Sequence, residues 1–180
     1  MEQGTTIWLT GLSASGKSTL AEKLTDFLNN NGDKVQLLDG DIVRDEIGGM
    51  FGYTRDERIK AANVYRVMAK LLNENGINVV VAAISPYEEI REANRNRIQN
   101  YIEVYVNCPI EECIRRDPKG LYNRALKGKE KHVAGIDEKF EIPKNSDIVV
   151  NTFDESVEES YFRIIEFLKN EDIGIIMKNI

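Results

Sequence analysis

The segment Gly11-Leu12-Ser13-Ala14-Ser15-Gly16-Lys17-Ser18 sets two glycines, a lysine and a hydroxyl at the spacing G-x-x-x-x-G-K-[ST]. That spacing lets backbone N–H groups cradle phosphates, with the lysine on the β- and γ-phosphates and the final hydroxyl on Mg²⁺. An apolar run precedes it and a helix-forming run beginning at Thr19 follows, so the helix N-terminus faces the same anion. Gly11, Ser13, Ala14, Ser15, Gly16, Lys17, Ser18 and Thr19 are therefore the expected ATP-holding residues, with Lys17 also catalytic and Ser18 a metal ligand. A glycine-containing turn without function would not require the lysine and the hydroxyl together.

Asp39-Gly40-Asp41, with Arg44 three residues on, forms a second constellation. Beside a triphosphate, one carboxylate has work on Mg²⁺ and the other can orient and deprotonate an attacking hydroxyl. We assign these tasks to Asp39 and Asp41 respectively, while Arg44 is suited to grip an anionic substrate. The plainer reading of Asp-Gly-Asp is a helix N-cap with a turn. Ile84-Ser85-Pro86-Tyr87 is a third candidate, Ser-Pro also being an ordinary helix start. Because His132 is the one histidine of the chain, a Ser-His-Asp hydrolase is unattractive. Residues 115–131 carry seven basic and two acidic side chains, among them Arg116, Lys119, Arg124 and Lys127. They suit a lid that closes over phosphates and excludes water, or else a solvated basic helix face.

These residues need a scaffold, and the periodicity supplies one. Short β-branched runs alternate with amphipathic ones, the signature of an α/β fold with a parallel sheet covered by helices. Strands are expected over residues 5–10, 35–38, 79–84, 102–106 and 148–151, and helices over 17–30, 55–75, 87–99, 110–116 and 157–169. All three motifs then fall at carboxyl ends of strands, where open parallel sheets collect ligands. The periodicity weakens over 117–147, as in a mobile lid or substrate loop. Residues 171–180 read as a docked strand or a tail used in assembly.

The chain has 180 residues, 42% of them hydrophobic, which fits one domain. Its formal charge of −6 argues against a general nucleic-acid binder. With neither a leader-like N-terminus nor a membrane-length apolar run, a cytoplasmic protein is the expectation. Cys108 and Cys113 have neither zinc-ligand nor disulfide-framework spacing and read as reduced, structural residues.

In order along the chain, GLSASGKST, LLDGDIVR, FGYTRDER, AAISPYEEIR, EVYVNCP, RRDPKGLYNRALKG and AGIDEKFEIP resemble adenylyl-sulfate (APS) kinase over nearly its whole length. RDPKGLY together with LDGD and ISPY is far more specific than the phosphate loop alone. The resemblance implies a P-loop NTPase-type three-layer fold, with a mostly parallel five-stranded sheet, flanking helices and a lid. It also implies MgATP-dependent phosphorylation of the 3′-hydroxyl of a 5′-nucleotide derivative, typically adenylyl sulfate, in sulfate assimilation. It places Asp41, Arg44 and Arg58 on the acceptor nucleotide, with Tyr53 at the family's GFS phenylalanine. Ile84 and Ser85 would line the acceptor pocket, Lys119 and Leu121 would lie over the substrates, and Arg116 would lie on the ATP side. Ser85 matches a serine phosphorylated in some bacterial relatives, which would make it catalytic as well as pocket-lining. A homodimer is common in the family.

Departures concentrate on the acceptor side. Ala61 stands where the family usually has asparagine, and Asn63, two residues on, would be rotated by roughly 200°. Val133 replaces a phenylalanine that clamps the purine, sacrificing about 1–3 kcal/mol of stacking. The ATP side is complete. This pattern suits an APS kinase with a relaxed clamp, or a relative acting on another nucleotide such as cytidine diphosphoramidate in capsule decoration. A GTPase-like switch would lack its [NT]-K-x-D guanine-reading sequence here. A non-catalytic nucleotide-binding module would leave Asp39, Asp41, Arg44 and Arg58 unexplained.

Overall fold

A computed structural model describes residues 3–170; the 171–180 segment read above as a strand or tail lies outside them. Five strands, β1 (Thr6–Thr10), β2 (Val35–Asp39), β3 (Asn78–Ala82), β4 (Tyr101–Asn107) and β5 (Ile148–Asn151), form one sheet in the order β2-β3-β1-β4-β5. All four pairings are parallel, so the sheet is wholly rather than mostly parallel. The helices are α1 (Lys17–Asn30), α2 (Gly40–Glu46), α3 (Arg55–Glu74), α4 (Glu88–Arg97), α5 (Ile110–Arg116), α6 (Leu121–Leu126) and α7 (Val157–Asn170).

Parallel strands buried on both faces must be apolar on both, and β1 and β3 are buried at every position. Alternation then divides their side chains between two layers. Ile7, Leu9, Val80 and Ala82 pack with Leu20 and Leu24 of α1 and Ile164 and Leu168 of α7. Trp8, Val79 and Val81 point the other way, onto Ala61, Tyr65 and Ala69 of α3. The three-layer architecture follows from these two faces.

Helix α2 was not among the expected helices, because its two apolar side chains, Ile42 and Val43, are adjacent rather than three or four residues apart. Helix α6 was likewise hidden, six residues inside the basic segment. β3 ends at Ala82, two residues before the expected Ile84, because the Ile84 carbonyl leaves the ladder. It accepts instead from Thr10 Oγ1 at 2.7 Å and the Gly11 N–H at 3.4 Å, tying the third motif to the start of the phosphate loop.

A satellite core lies off the sheet. Cys108, Cys113, Tyr122 and Val133 are buried there, with Leu12, Ala14, Leu121 and Ile136 packed around them. It joins the phosphate loop, α5, α6 and the 131–136 segment into one packed unit. Both cysteines are free thiols, as their spacing implied, and burial pushes the Cys113 thiol up to about 12, far from reactive. Gly135 shows how tight this unit is: its φ is +91°, and a Cβ there would lie 2.9 Å from Ile110 Cδ1 and 3.1 Å from Leu12 Cδ2. Gly135→Ala should therefore destabilise the protein by about 1–3 kcal/mol, seen as a lowered denaturation midpoint.

Candidate active site

The loop between β1 and α1 is shaped by what its carbonyls do. Gly11 approaches β4 so closely that a Cβ would sit 2.5 Å from the Val106 carbonyl oxygen, so no larger residue fits. The Ser13 carbonyl accepts from the Tyr122 hydroxyl at 3.0 Å, and the Ser15 carbonyl from Thr152 Oγ1 at 2.7 Å. With carbonyls drawn back, N–H groups are turned to the opening, as an anion cradle requires. Ser13, Ala14, Gly16, Lys17, Ser18 and Thr19 line the cleft, whereas Gly11 and the fully buried Ser15 lie behind it.

Lys17 donates from Nζ to the Leu12 carbonyl at 2.6 Å. Burial, outweighing the carboxylates of Asp41 and Asp39, lowers its pKa from 10.5 to about 8. Ser18 Oγ donates to Asp39 Oδ2 at 2.6 Å. Asp39 Oδ1 meanwhile accepts from the N–H groups of Asp41 and Ile42, at 2.9 and 3.4 Å, as the N-cap of α2. The capping and metal-site readings of Asp39 thus fall on different oxygens of one carboxylate. A hydroxyl and a carboxylate oxygen side by side suit Mg²⁺, a hard cation that keeps waters and takes one or two protein oxygens beside phosphates.

Asp41 lies one residue inside α2, and its Oδ2 meets Lys119 Nζ at 2.6 Å; both side chains are exposed. This pair joins the sheet edge to the basic segment and raises the Lys119 pKa. At the rear, Glu112 forms ion pairs with Arg115 and Arg116, whose hydrogen bonds hold its carboxyl down to about 2. So fixed, Arg116 donates from Nη2 to the Thr152 carbonyl at 2.6 Å, beside Gly16.

The other half of the cleft is built around Arg44 and Arg58. Arg44 Nη1 donates to the carbonyls of Phe51 and Gly52, at 3.0 and 2.9 Å. Arg58 donates from Nε to the Tyr53 carbonyl at 2.9 Å and from Nη2 to the His132 carbonyl at 2.7 Å, bridging two loops. Both guanidinium carbons lie over the Tyr53 ring, at 4.7 and 5.3 Å from its centroid. Burial lowers the Arg58 pKa without changing its charge at neutral pH. Ile84, Ser85 and Leu121 complete the wall. Ser85 is buried with φ +45°; its Oγ accepts from Trp8 Nε1 at 2.9 Å, and its carbonyl accepts from Arg91 Nη1 at 2.8 Å.

The structure thus brings Lys17, Ser18, Asp39, Asp41, Arg44, Tyr53, Arg58, Ile84, Ser85, Arg116, Lys119 and Leu121 to a single cleft of about 1400 Å³. Of the two departures, Val133 lines the cleft, but Ala61 packs in the core beneath it, and Asn63 turns away to accept from Arg66. Thr152 and Tyr122 escaped the sequence reading. Thr152 directly follows β5, so the strand-end rule that located the other motifs would have found it. Tyr122 ends the RDPKGLY run quoted above, but nothing in that run gives its hydroxyl a role.

The lowered Lys17 pKa carries a stability consequence. The folded state disfavours the Lys17 proton, so the destabilisation is full below about pH 8 and fades as pH rises from 8 to 10.5. Lys17→Met should therefore abolish phosphoryl transfer yet raise Tm at pH 7, by about 2–4 °C for each kcal/mol relieved. Thermal unfolding of both proteins should show the gain shrinking across that window.

Comparison with known proteins agrees with this arrangement. Residues 3–151 match the adenylylsulphate kinase family model. An adenylyl-sulfate kinase from Picosynechococcus sp. is 43% identical over 174 residues, covering 97% of each chain. The Mycobacterium tuberculosis APS kinase CysC, in complex with AMPPNP and APS, superposes with a TM-score of 0.90 at 35% identity, covering 94% of this chain and 99% of that one. Shikimate kinase from Aquifex aeolicus, at 19% identity and a TM-score of 0.54, shares the fold. By its sequence, its parallel sheet and the residues gathered at one end of that sheet, this chain belongs to the adenylylsulphate kinase family.

Proposed function

We propose that the chain transfers the γ-phosphoryl group of ATP to the 3′-hydroxyl of adenylyl sulfate, giving 3′-phosphoadenylyl sulfate. The observation that carries this reading is the single cleft, with a phosphate loop at one end and Arg44, Arg58 and Tyr53 at the other. A volume of about 1400 Å³ exceeds the roughly 300–1,000 Å³ of an ordinary small-molecule site and suits two nucleotides together.

Lys17 and the loop N–H groups hold the ATP phosphates. Ser18 and Asp39 would hold Mg²⁺, which when bound neutralises charge on the β- and γ-phosphate oxygens. Asp41 orients the acceptor hydroxyl and takes its proton. Because Lys119 occupies Oδ2 of Asp41, Oδ1 is the oxygen that receives it. The hydroxyl oxygen bonds to the γ-phosphorus as the β–γ bridging bond breaks, and ADP departs. Arg44 and Arg58 fix the loops that flank the acceptor and set positive charge beside its anionic groups. Ser85, whose hydroxyl accepts from Trp8 Nε1, shapes the wall, and direct in-line transfer does not require it as a phosphoryl carrier.

In this reading residues 117–147 are a lid within one domain, latched by Lys119 on Asp41. No helix among the described residues is long and apolar enough to cross a membrane, and we place the enzyme in the cytoplasm. A homodimer is the assembly we infer from family habit; an APS kinase from Thiobacillus denitrificans is hexameric.

Asp41→Asn should leave ATP affinity within about twofold and lower kcat by about 10²–10⁴-fold. Unchanged turnover would remove the proton-acceptor role. Product analysis with MgATP and, separately, adenylyl sulfate, cytidine diphosphoramidate and plain 5′-nucleotides tests the acceptor. Preferential phosphorylation of adenylyl sulfate is the expected result. Preference for the cytidine compound would mean that Val133 marks a changed acceptor pocket.

A further inference from the structure

Ala14 stands in the middle of the phosphate loop with φ +60°, a left-handed conformation that costs a residue with a Cβ roughly 1–2 kcal/mol. The peptide joining it to Ser13 is trans, so the Ser13 carbonyl and the Ala14 N–H point in opposite directions. The carbonyl accepts from the hydroxyl of Tyr122, which is fully buried in the satellite core. Ser13 and Ala14 line the cleft and Tyr122 does not. The carbonyl is therefore held to the rear and the Ala14 N–H faces the phosphates. Turning this one peptide plane by half a rotation would relieve the left-handed φ of Ala14. It would also put a carbonyl oxygen where a donor is needed.

We propose that Tyr122 is a positioning residue for ATP: its hydroxyl locks the Ser13–Ala14 peptide in the strained orientation that offers the Ala14 N–H to the β- and γ-phosphates. The neighbouring Ser15–Gly16 peptide makes the contrast. There Thr152 holds the carbonyl, but φ is +100° at a glycine, so nothing favours the flipped form. Within the phosphate loop, strain and lock coincide at Ala14. Because α6 carries Tyr122 inside the basic segment, the lock also ties the state of the phosphate loop to the seating of that segment.

This inference rests on the kinase reading only for ATP as the donor, so its test uses ATP-site binding and no acceptor. Calorimetric titration of the full chain with a non-hydrolysable ATP analogue and Mg²⁺ should show Tyr122→Phe weakening binding about five- to tenfold, the worth of one hydrogen bond. Adding Ala14→Gly to that variant should recover the affinity to within about twofold, since glycine holds positive φ without cost. A merely structural role for Tyr122 would lower Tm but give no such rescue. Unchanged affinity in Tyr122→Phe, or a loss that Ala14→Gly does not repair, would overturn the proposal. In the wild-type protein the Ala14 amide ¹⁵N resonance should also move on adding ADP, and an unmoved resonance would overturn it independently of any variant. Failure on adenylyl sulfate in the acceptor assay would leave all these outcomes readable.

Discussion

A loop that binds a triphosphate must turn its N–H groups inward, send its carbonyls elsewhere and keep a cation in a place where burial disfavours it. That constraint organises much of this molecule. The Ile84 carbonyl anchors the loop's start, Tyr122 and Thr152 take the carbonyls of Ser13 and Ser15, and the Leu12 carbonyl takes the Lys17 ammonium. Each partner comes from a different part of the chain, so the loop is correct only when the sheet edge, α6 and the end of β5 are all in place. The cost is visible in the lowered Lys17 pKa and in the left-handed Ala14. Both are strains of the kind functional sites retain because the surrounding fold is stable enough to hold them.

The acceptor side obeys a different logic. Its arginines do not simply point at a ligand; Arg58 spans two loops through backbone carbonyls, and Arg44 closes the 51–52 turn. Their charge is presented to the cleft by groups already fixed in place, which reduces the ordering cost when an anionic nucleotide binds. Substitution of Val133 for a flat aromatic affects the shape of this half while the guanidinium framework is kept. Ala61 has no such influence, because its side chain packs on Trp8 and Tyr65 in the core.

Legibility in the sequence followed the range over which each signal acts. β1 and α1 were read to within a residue because a continuous apolar run and a fourteen-residue amphipathic period are both local signals. Gly11–Ser18 was read because its chemistry is contained in eight consecutive residues. α2 gave no period because its two apolar side chains, Ile42 and Val43, are adjacent, and α6 is only six residues long. Asp39 was legible as a carboxylate with two competing explanations, and only three dimensions show that its two oxygens satisfy both. Tyr122 stands in the RDPKGLY run, but its role was hidden for a deeper reason: its partner, Ser13, is 109 residues away, and a hydrogen bond to a backbone carbonyl leaves no mark on the partner's identity.

The central claim is that donor and acceptor share one cleft and that the phosphoryl group passes directly between them. The stereochemical course at the transferred phosphorus tests this most directly, using ATP made chiral at the γ-position with oxygen isotopes and adenylyl sulfate as acceptor. A single in-line transfer gives inversion, which is the predicted result. Retention would mean two successive displacements through a phosphorylated side chain, and would contradict both direct transfer and the purely structural placement of Ser85.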